Sequence, residues 1–159
     1  MLRISKLTDY ATVILAALAE KPSELLSAAV LAELTGLGVP TVSKLLKELQ
    51  RAGLVSSVRG AHGGYQLARP AAEISAAHII DAVEGPVALT ECATAHSQCG
   101  IEHSCQVGDS WQRISLAIRR SLQEVRLTSL IAHDAAVKAP DLGSALGRAA
   151  AGWQPLKRA

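Results

Sequence analysis

Apolar residues recur at three- and four-residue spacing from the start of the chain. Leu7, Tyr10, Ala11, Ile14, Leu15 and Leu18 share one face, which predicts an amphipathic helix ending near Lys21 and Pro22. Ser27 predicts the cap of a short helix over 28–35, with Val30, Leu31 and Leu34 as its buried face. Gly36 supplies the left-handed residue that ends it. After a tight turn at 37–39, Pro40 takes the favoured first position of a third helix. Its apolar stripe is Val42, Leu45, Leu46 and Leu49, and Gly53 closes it. Ser43, Lys44, Lys47 and Arg51 project from the other side, with Thr41 near the exposed N-terminal end. Two helices joined by a short glycine-containing turn, the second exposing small polar and basic groups, form a helix-turn-helix pattern.

The period then changes from helical to alternating. Residues 54–59 and 65–69 read as two short strands, and the loop at 60–64, with Gly60, His62, Gly63 and Gly64, joins them as a hairpin. A hairpin directly after a helix-turn-helix is a wing. Its glycines, Gly63 among them, let the backbone approach a partner closely, and Arg59 and His62 place donors at its tip.

Beyond the wing, Ser75 predicts the cap of a fourth helix through Glu84, with Ile79, Ile80 and Val83 apolar, broken by Gly85 and Pro86. Asp109 and Gln112 have the spacing of a capping box, and a long helix is predicted from there to about residue 132. Trp111, Ile114, Ile118, Leu122 and Val125 lie on one face of it, and Leu116, Leu127, Leu130 and Ile131 widen the apolar surface. That is more than one small winged helix can cover, which predicts a symmetric dimer built on this helix. His78 and His133 are read as surface or packing residues, and the tail from 134 as flexible. The expected layout is a winged helix-turn-helix domain at 1–74, a helix and cysteine-containing loop at 75–108, a dimerisation helix at 109–132 and a tail at 133–159. The fold class is mainly α.

Composition agrees with that class. The 159 residues are 49% hydrophobic but only 3% aromatic, with no Phe, so the core must be built from the helix-favouring Ala and Leu. The formal charge of +2 conceals a segregation. Residues 39–69 carry Lys44, Lys47, Arg51, Arg59 and Arg69 against the single acid Glu48. Residues 70–108 have no Lys or Arg but contain Glu73, Asp81, Glu84, Glu91 and Glu102. A basic stripe over the third helix and wing points to a polyanion, with double-stranded DNA the leading partner. His62 is read as a DNA contact in the same way. No apolar segment is long enough to span a bilayer and no signal-peptide pattern is present, so a cytoplasmic chain without membrane partners is expected. No phosphate-binding glycine motif, nucleophile elbow or paired catalytic acid is visible, which argues against an enzyme with a small-molecule substrate.

All three cysteines, Cys92, Cys99 and Cys105, fall within 14 residues, interleaved with His96 and His103. An odd count does not suit a closed disulfide framework, and in a reducing compartment such a cluster suits metal. Three thiolates leave one coordination position for an oxygen or nitrogen donor. That arrangement suits a labile iron–sulfur cluster, and a zinc site accepts the same set. A reactive thiol is disfavoured by the lack of a neighbouring cation in 70–108.

Several stretches together resemble the Rrf2 family of bacterial transcription regulators, over about residues 1–131. They are the run from Lys6 to Ala11, the wing from Gly53 to Tyr65, the segment from Ile79 to Gly85 and the three cysteines. The segments from Glu84 to Cys92 and from Trp111 to Arg120 are most similar to the branch regulating the SUF system of iron–sulfur cluster assembly. The resemblance implies a dimeric winged-helix repressor whose iron–sulfur cluster, [2Fe-2S] or [4Fe-4S], sets its DNA affinity. It implies that Arg59 enters the minor groove and that Thr41, Ser43 and Lys44 lie at the tip of the recognition helix. There are departures. Six residues separate Cys92 from Cys99 where well-known members have five, and Gly108 stands where some relatives have a ligating histidine. Other relatives use an acidic residue from the first helix of the partner subunit; Asp9 matches that position and is the first choice for fourth ligand, ahead of His103 and His96. A regulator of the same fold sensing nitric oxide or redox state, or a small iron–sulfur carrier or enzyme that does not bind DNA, are the competing readings.

Overall fold

The computed structural model describes residues 4–60, 62–90, 105 and 107–132. Helices α1 (Lys6–Glu20), α2 (Ala28–Thr35) and α3 (Val39–Arg51) precede an antiparallel pair, β1 (Val55–Val58) and β2 (Gly64–Leu67). A single 3-10 turn, Ala71–Glu73, leads to α4 (Ala76–Val83), and α5 (Gly108–Glu124) and α6 (Leu127–Ile131) complete the described chain. The mainly helical winged helix-turn-helix expected from the sequence is therefore present. The expected tail lies outside the described residues.

Each helix end has a local cause. Ser5 Oγ accepts the Thr8 N–H at 3.3 Å at the start of α1, and Ser27 Oγ does the same for Val30 at 3.2 Å in α2. Gly36, at φ 70°, ends α2 in the left-handed conformation. At the end of α3 the Gly53 N–H reaches the Gln50 carbonyl at 3.0 Å and the Leu54 N–H reaches that of Leu49 at 2.9 Å. That pair of bonds is a Schellman motif, and Gly53, at φ 68°, makes it possible. The motif turns the chain sharply from α3 into β1, so recognition helix and wing are joined without slack. Helix α3 begins at Val39, one residue before the expected Pro40.

The core is one cluster. Ala11, Ile14, Leu15 and Leu18 of α1 meet Leu31 of α2, Val42, Leu45, Leu46 and Leu49 of α3, and Leu54, Val55, Ile74 and Ile79. The α2 face differs from expectation. Its inward residues are Ala28, Leu31, Ala32 and Thr35, while Val30 and Leu34 are 40% and 54% exposed. The spacing i, i+3, i+4, i+7 selects one stripe, and the small Ala28 and Ala32 share it with Leu31 and Thr35.

The pairing is β1 to β2 in the register Val55 to Leu67, Ser56 to Gln66, Ser57 to Tyr65 and Val58 to Gly64. An unforeseen third segment joins it: Leu26, before α2, exchanges both backbone bonds with Tyr65, at 3.0 and 2.8 Å. Gly64 lies flush against that connector. A Cβ there would come within 2.9 Å of the Leu25 backbone.

The predicted long helix over 109–132 is corrected by the structure. Helix α5 ends at Glu124, and Val125 and Arg126 are extended, with ψ of 112° and 154°. The Ala76 N–H donates to the Val125 carbonyl and the Leu127 N–H to the Ile74 carbonyl, both at 2.8 Å. Leu127 is fully buried in the winged-helix core. Pairing with the segment before α4, together with burial of Leu127, outweighs continuation of the helix. Helix α5 begins at Gly108, one residue before the expected Asp109, and its cap position, Val107, makes no side-chain cap bond.

His78, read as a surface or packing residue, closes a true capping box on α4. Its Nδ1 accepts the Ser75 N–H at 3.2 Å, and Ser75 Oγ accepts the His78 N–H at 3.3 Å. Burial lowers the His78 pKa below its ordinary 6.5, helped by Arg69, Arg126 and Arg119 and opposed by Asp81. The unfolded chain therefore takes up the proton first, and the stabilisation present above pH 6.5 is lost as pH falls below that value. The urea midpoint is expected to drop between pH 7.5 and 5.5. His78→Gln, whose carbonyl oxygen can accept the same N–H, should flatten that slope; an unchanged slope in the variant would assign it to another group.

Candidate DNA interface and metal centre

Helix α3 separates its faces cleanly. Val42, Leu45, Leu46 and Leu49 are buried, and Lys44, Lys47 and Arg51, at i, i+3 and i+7, form an exposed basic row on the far side. Thr41 and Ser43 are half-buried near its start. Lys44 Nζ lies 3.9 Å from Glu48 Oε1, a loose exposed pair that leaves the ammonium available to a stronger anion. The N-terminal end of α3 has no side-chain cap bond, and Pro40 brings no N–H, so Val39 and Thr41 carry the first donors at the positive end of the helix dipole.

The wing continues this surface. Arg59 and His62 are exposed, and Gly60, at φ 121°, turns the chain between them. Gly63 has a reason local to the hairpin. Its N–H donates to the Gly60 carbonyl at 3.0 Å, and a Cβ there would sit 2.2 Å from the Val58 carbonyl oxygen. Two bracing residues were not singled out from sequence. Gln50 Nε2 donates to Ser57 Oγ at 2.9 Å, and Arg69 Nη2 donates to the Gly53 carbonyl at 3.3 Å. Both are long polar side chains in basic surroundings, and only the three-dimensional turn after α3 brings their partners within reach.

The second candidate centre concerns the cysteines. Cys105 is half-buried and free, close to Gly108 at the start of α5. Cys92, Cys99, His96 and His103 lie outside the described residues. The segment leading towards Cys92 is held at two points. Glu84, which ends α4, accepts the Ser5 N–H at 3.0 Å and the Thr8 hydroxyl through the same oxygen. Those bonds, the Thr8 one foremost and the Ser5 N–H next, hold the Glu84 carboxyl below its ordinary range against an opposing effect of burial. Further on, the Leu89 N–H donates to Ser115 Oγ at 3.2 Å, which fixes the segment to α5. Asp81 and Arg119 join α4 to α5 through two parallel bonds of 2.8 and 2.5 Å.

Asp9 stands in the first turn of α1, exposed and one residue past Thr8. Among the described residues its carboxylate has no hydrogen-bond or ion-pair partner. It opens onto a cavity of about 470 Å³ lined by Ile4, Ile79, Ile80, Leu122 and Leu130. A neighbouring cavity of about 400 Å³ shares Ile4, Ile80 and Leu122 and runs on to Leu89. Helix α5 thus leaves Ile118 and Leu122 only half-buried, while Trp111 and Leu116 are 43% and 54% exposed. What α5 buries in its own chain is small: Ser115, Ala117 and Ser121. Among the described residues no group of three or more His, Cys, Asp or Glu is placed to hold a metal; Cys105 and Asp9 are the described members of the expected thiolate-plus-oxygen set. Among the described residues no single helix is long and apolar enough to cross a membrane.

Comparison with known proteins fits this geometry. Residues 4–133 match the Rrf2 family, described as iron-dependent transcriptional regulators. The transcriptional regulator IscR of Cereibacter sphaeroides is 33% identical over 138 residues, covering 84% of this chain and 89% of that one. Among solved structures, CymR, the global cysteine regulator of Bacillus subtilis, superposes with a TM-score of 0.64 at 30% identity, covering 84% of this chain and 99% of the other. The T. potens IscR structure gives 0.58 at 29% identity, covering 82% and 86%. These relatives are regulators, not enzymes. The chain belongs to the Rrf2 family of DNA-binding transcription regulators.

Proposed function

We propose that this regulator is a homodimeric repressor of iron–sulfur cluster assembly genes, of the SUF type, that reads an iron–sulfur cluster of its own. Cys92, Cys99 and Cys105 are the thiolate ligands, and Asp9 of the partner subunit supplies the fourth. The observation that carries this reading is the Asp9 carboxylate, without a partner among the described residues and beside a cavity lined by α1, α4 and, from α5, Leu122. A second copy packed along the apolar face of α5 would cover that cavity and bring one protomer's first helix towards the other's cysteines. The cluster, when bound, supplies a centre whose loss reports oxidation or shortage. The chain's own part is to hold it by one weak oxygen ligand, so that it leaves readily.

On the DNA side, Thr41 and Ser43 meet base edges in the major groove, and Lys44, Lys47 and Arg51 meet phosphates. Arg59 enters the minor groove, flanked by His62, and Gly63 shapes the tip that carries them. The glutamate clamp links the two halves. Glu84 ties the segment before Cys92 to the turn of α1 that bears Asp9, so a change at the cysteines reaches the winged helix through Ser5 and Thr8. In a dimer that shift alters the separation of two recognition helices that must match half-sites about one helical turn apart.

The test uses anaerobically purified protein and a duplex that the wild type selects from a random-sequence pool. The expected result is a dimer with iron and sulfide, and a DNA affinity that changes at least tenfold when the cluster is removed. Colourless protein with zinc, or an affinity indifferent to iron and sulfide, would overturn the sensing reading while leaving DNA binding intact.

A further inference from the structure

Arg59 is exposed where the hairpin leaves β1, so something must fix its direction relative to α3. The backbone junction supplies part of the answer through the Schellman turn at Gly53, the Ala68 N–H to Leu54 carbonyl bond at 3.0 Å and the Arg69 brace on Gly53. These act at the base of the hairpin. Further out, one side-chain contact crosses from the helix to the wing: Gln50 Nε2 to Ser57 Oγ at 2.9 Å.

Gln50 stands next to Arg51 on the last turn of α3, and Ser57 precedes Arg59 by two residues. Arg59 is the first residue beyond β1, which ends at Val58, so it leaves directly from the stretch of backbone that the Ser57 contact holds. The bond couples the roll of the ribbon to the axis of α3, and so sets where the guanidinium points once α3 is seated. We propose that Gln50 is a positioning residue for Arg59, acting through Ser57 rather than by touching DNA. This rests on the reading that Arg59 is a cationic contact to the duplex.

The consequence is a salt dependence that changes without any change of charge. Each phosphate neutralised by a protein cation contributes about 0.9 to the slope of log affinity against log salt. Arg59→Ala should reduce the slope by about that amount and weaken binding on the order of tenfold. Gln50→Ala and Ser57→Ala remove no charge, yet each should lower the slope by about half as much, because Arg59 then samples directions that miss the groove. In the Gln50→Ala/Arg59→Ala double variant, affinity and slope should equal those of Arg59→Ala alone. The measurements use the full chain with its metal and the duplex selected by the wild type. Gln50 is exposed and outside the core, so matching thermal melts are expected.

Weaker binding of Gln50→Ala at an unchanged slope would make Gln50 a direct base contact and overturn the proposal. Additivity with Arg59→Ala, or no effect, would overturn it equally. An unchanged slope in Arg59→Ala itself is a different failure: it removes Arg59 from the interface, and the positioning role falls with it.

Discussion

Cys105→Ser is expected to yield colourless protein that carries no iron or sulfide after anaerobic purification, and whose DNA affinity is the same before and after iron chelation. A serine hydroxyl is not ionised at neutral pH and is a poor ligand for the iron that a thiolate holds. Cys105 is half-buried and unpaired at the foot of α5, so the change from sulfur to oxygen leaves the fold intact. Asp9→Ala should behave differently. On the proposed ligand set it removes one weak ligand and leaves three thiolates, so the cluster should assemble but be lost severalfold faster to air or chelator. Retention of the wild-type visible spectrum by Cys105→Ser would take that residue out of the ligand set; an unchanged rate of loss in Asp9→Ala would do the same for Asp9.

The second large effect is expected far from both centres. Leu127→Ala should destabilise the chain by about 2–5 kcal/mol, because a fully buried leucine is replaced by a cavity in an otherwise continuous core. Leu130→Ala, three residues on and 46% exposed, is the control and should cost well under about 1 kcal/mol. Urea unfolding of the two variants makes the comparison. Equal midpoints would mean that α6 is not seated in the core as described.

The Leu127 case also shows where reasoning from sequence stops. Helices α1 and α3 were legible because their apolar stripes are unambiguous and the ends of α3 carry Pro40 and Gly53, whose preferences are local. The hairpin was legible for the same reason. The break at Val125 and Arg126 was not, since neither residue is a helix breaker; the cause is a bridge between Ser75 and Arg126, some fifty positions apart in sequence. Val30 and Leu34 misled because size and apolarity suggested burial, whereas the inward stripe of α2 runs through Ala28, Leu31 and Ala32. At the candidate sites, the basic row on α3 could be read from spacing and charge. The roles of Gln50, Arg69 and Glu84 depend on partners 7, 16 and 79 positions distant, which no local pattern encodes.

The return of the chain at Leu127 has a further consequence during synthesis. The residues proposed to contact DNA are complete once Arg69 has been made, but the core beneath them still lacks a side chain that is translated 58 positions later. The nascent winged helix therefore leaves the ribosome with an open apolar socket beside Ile74, and the segment carrying the three cysteines emerges before that socket is filled. Domains generally consolidate as units in the order they are made. Here the last described helix is the closing piece of the first domain, so a chain released at Glu124 would hold every proposed ligand and every proposed DNA contact and still be only marginally folded.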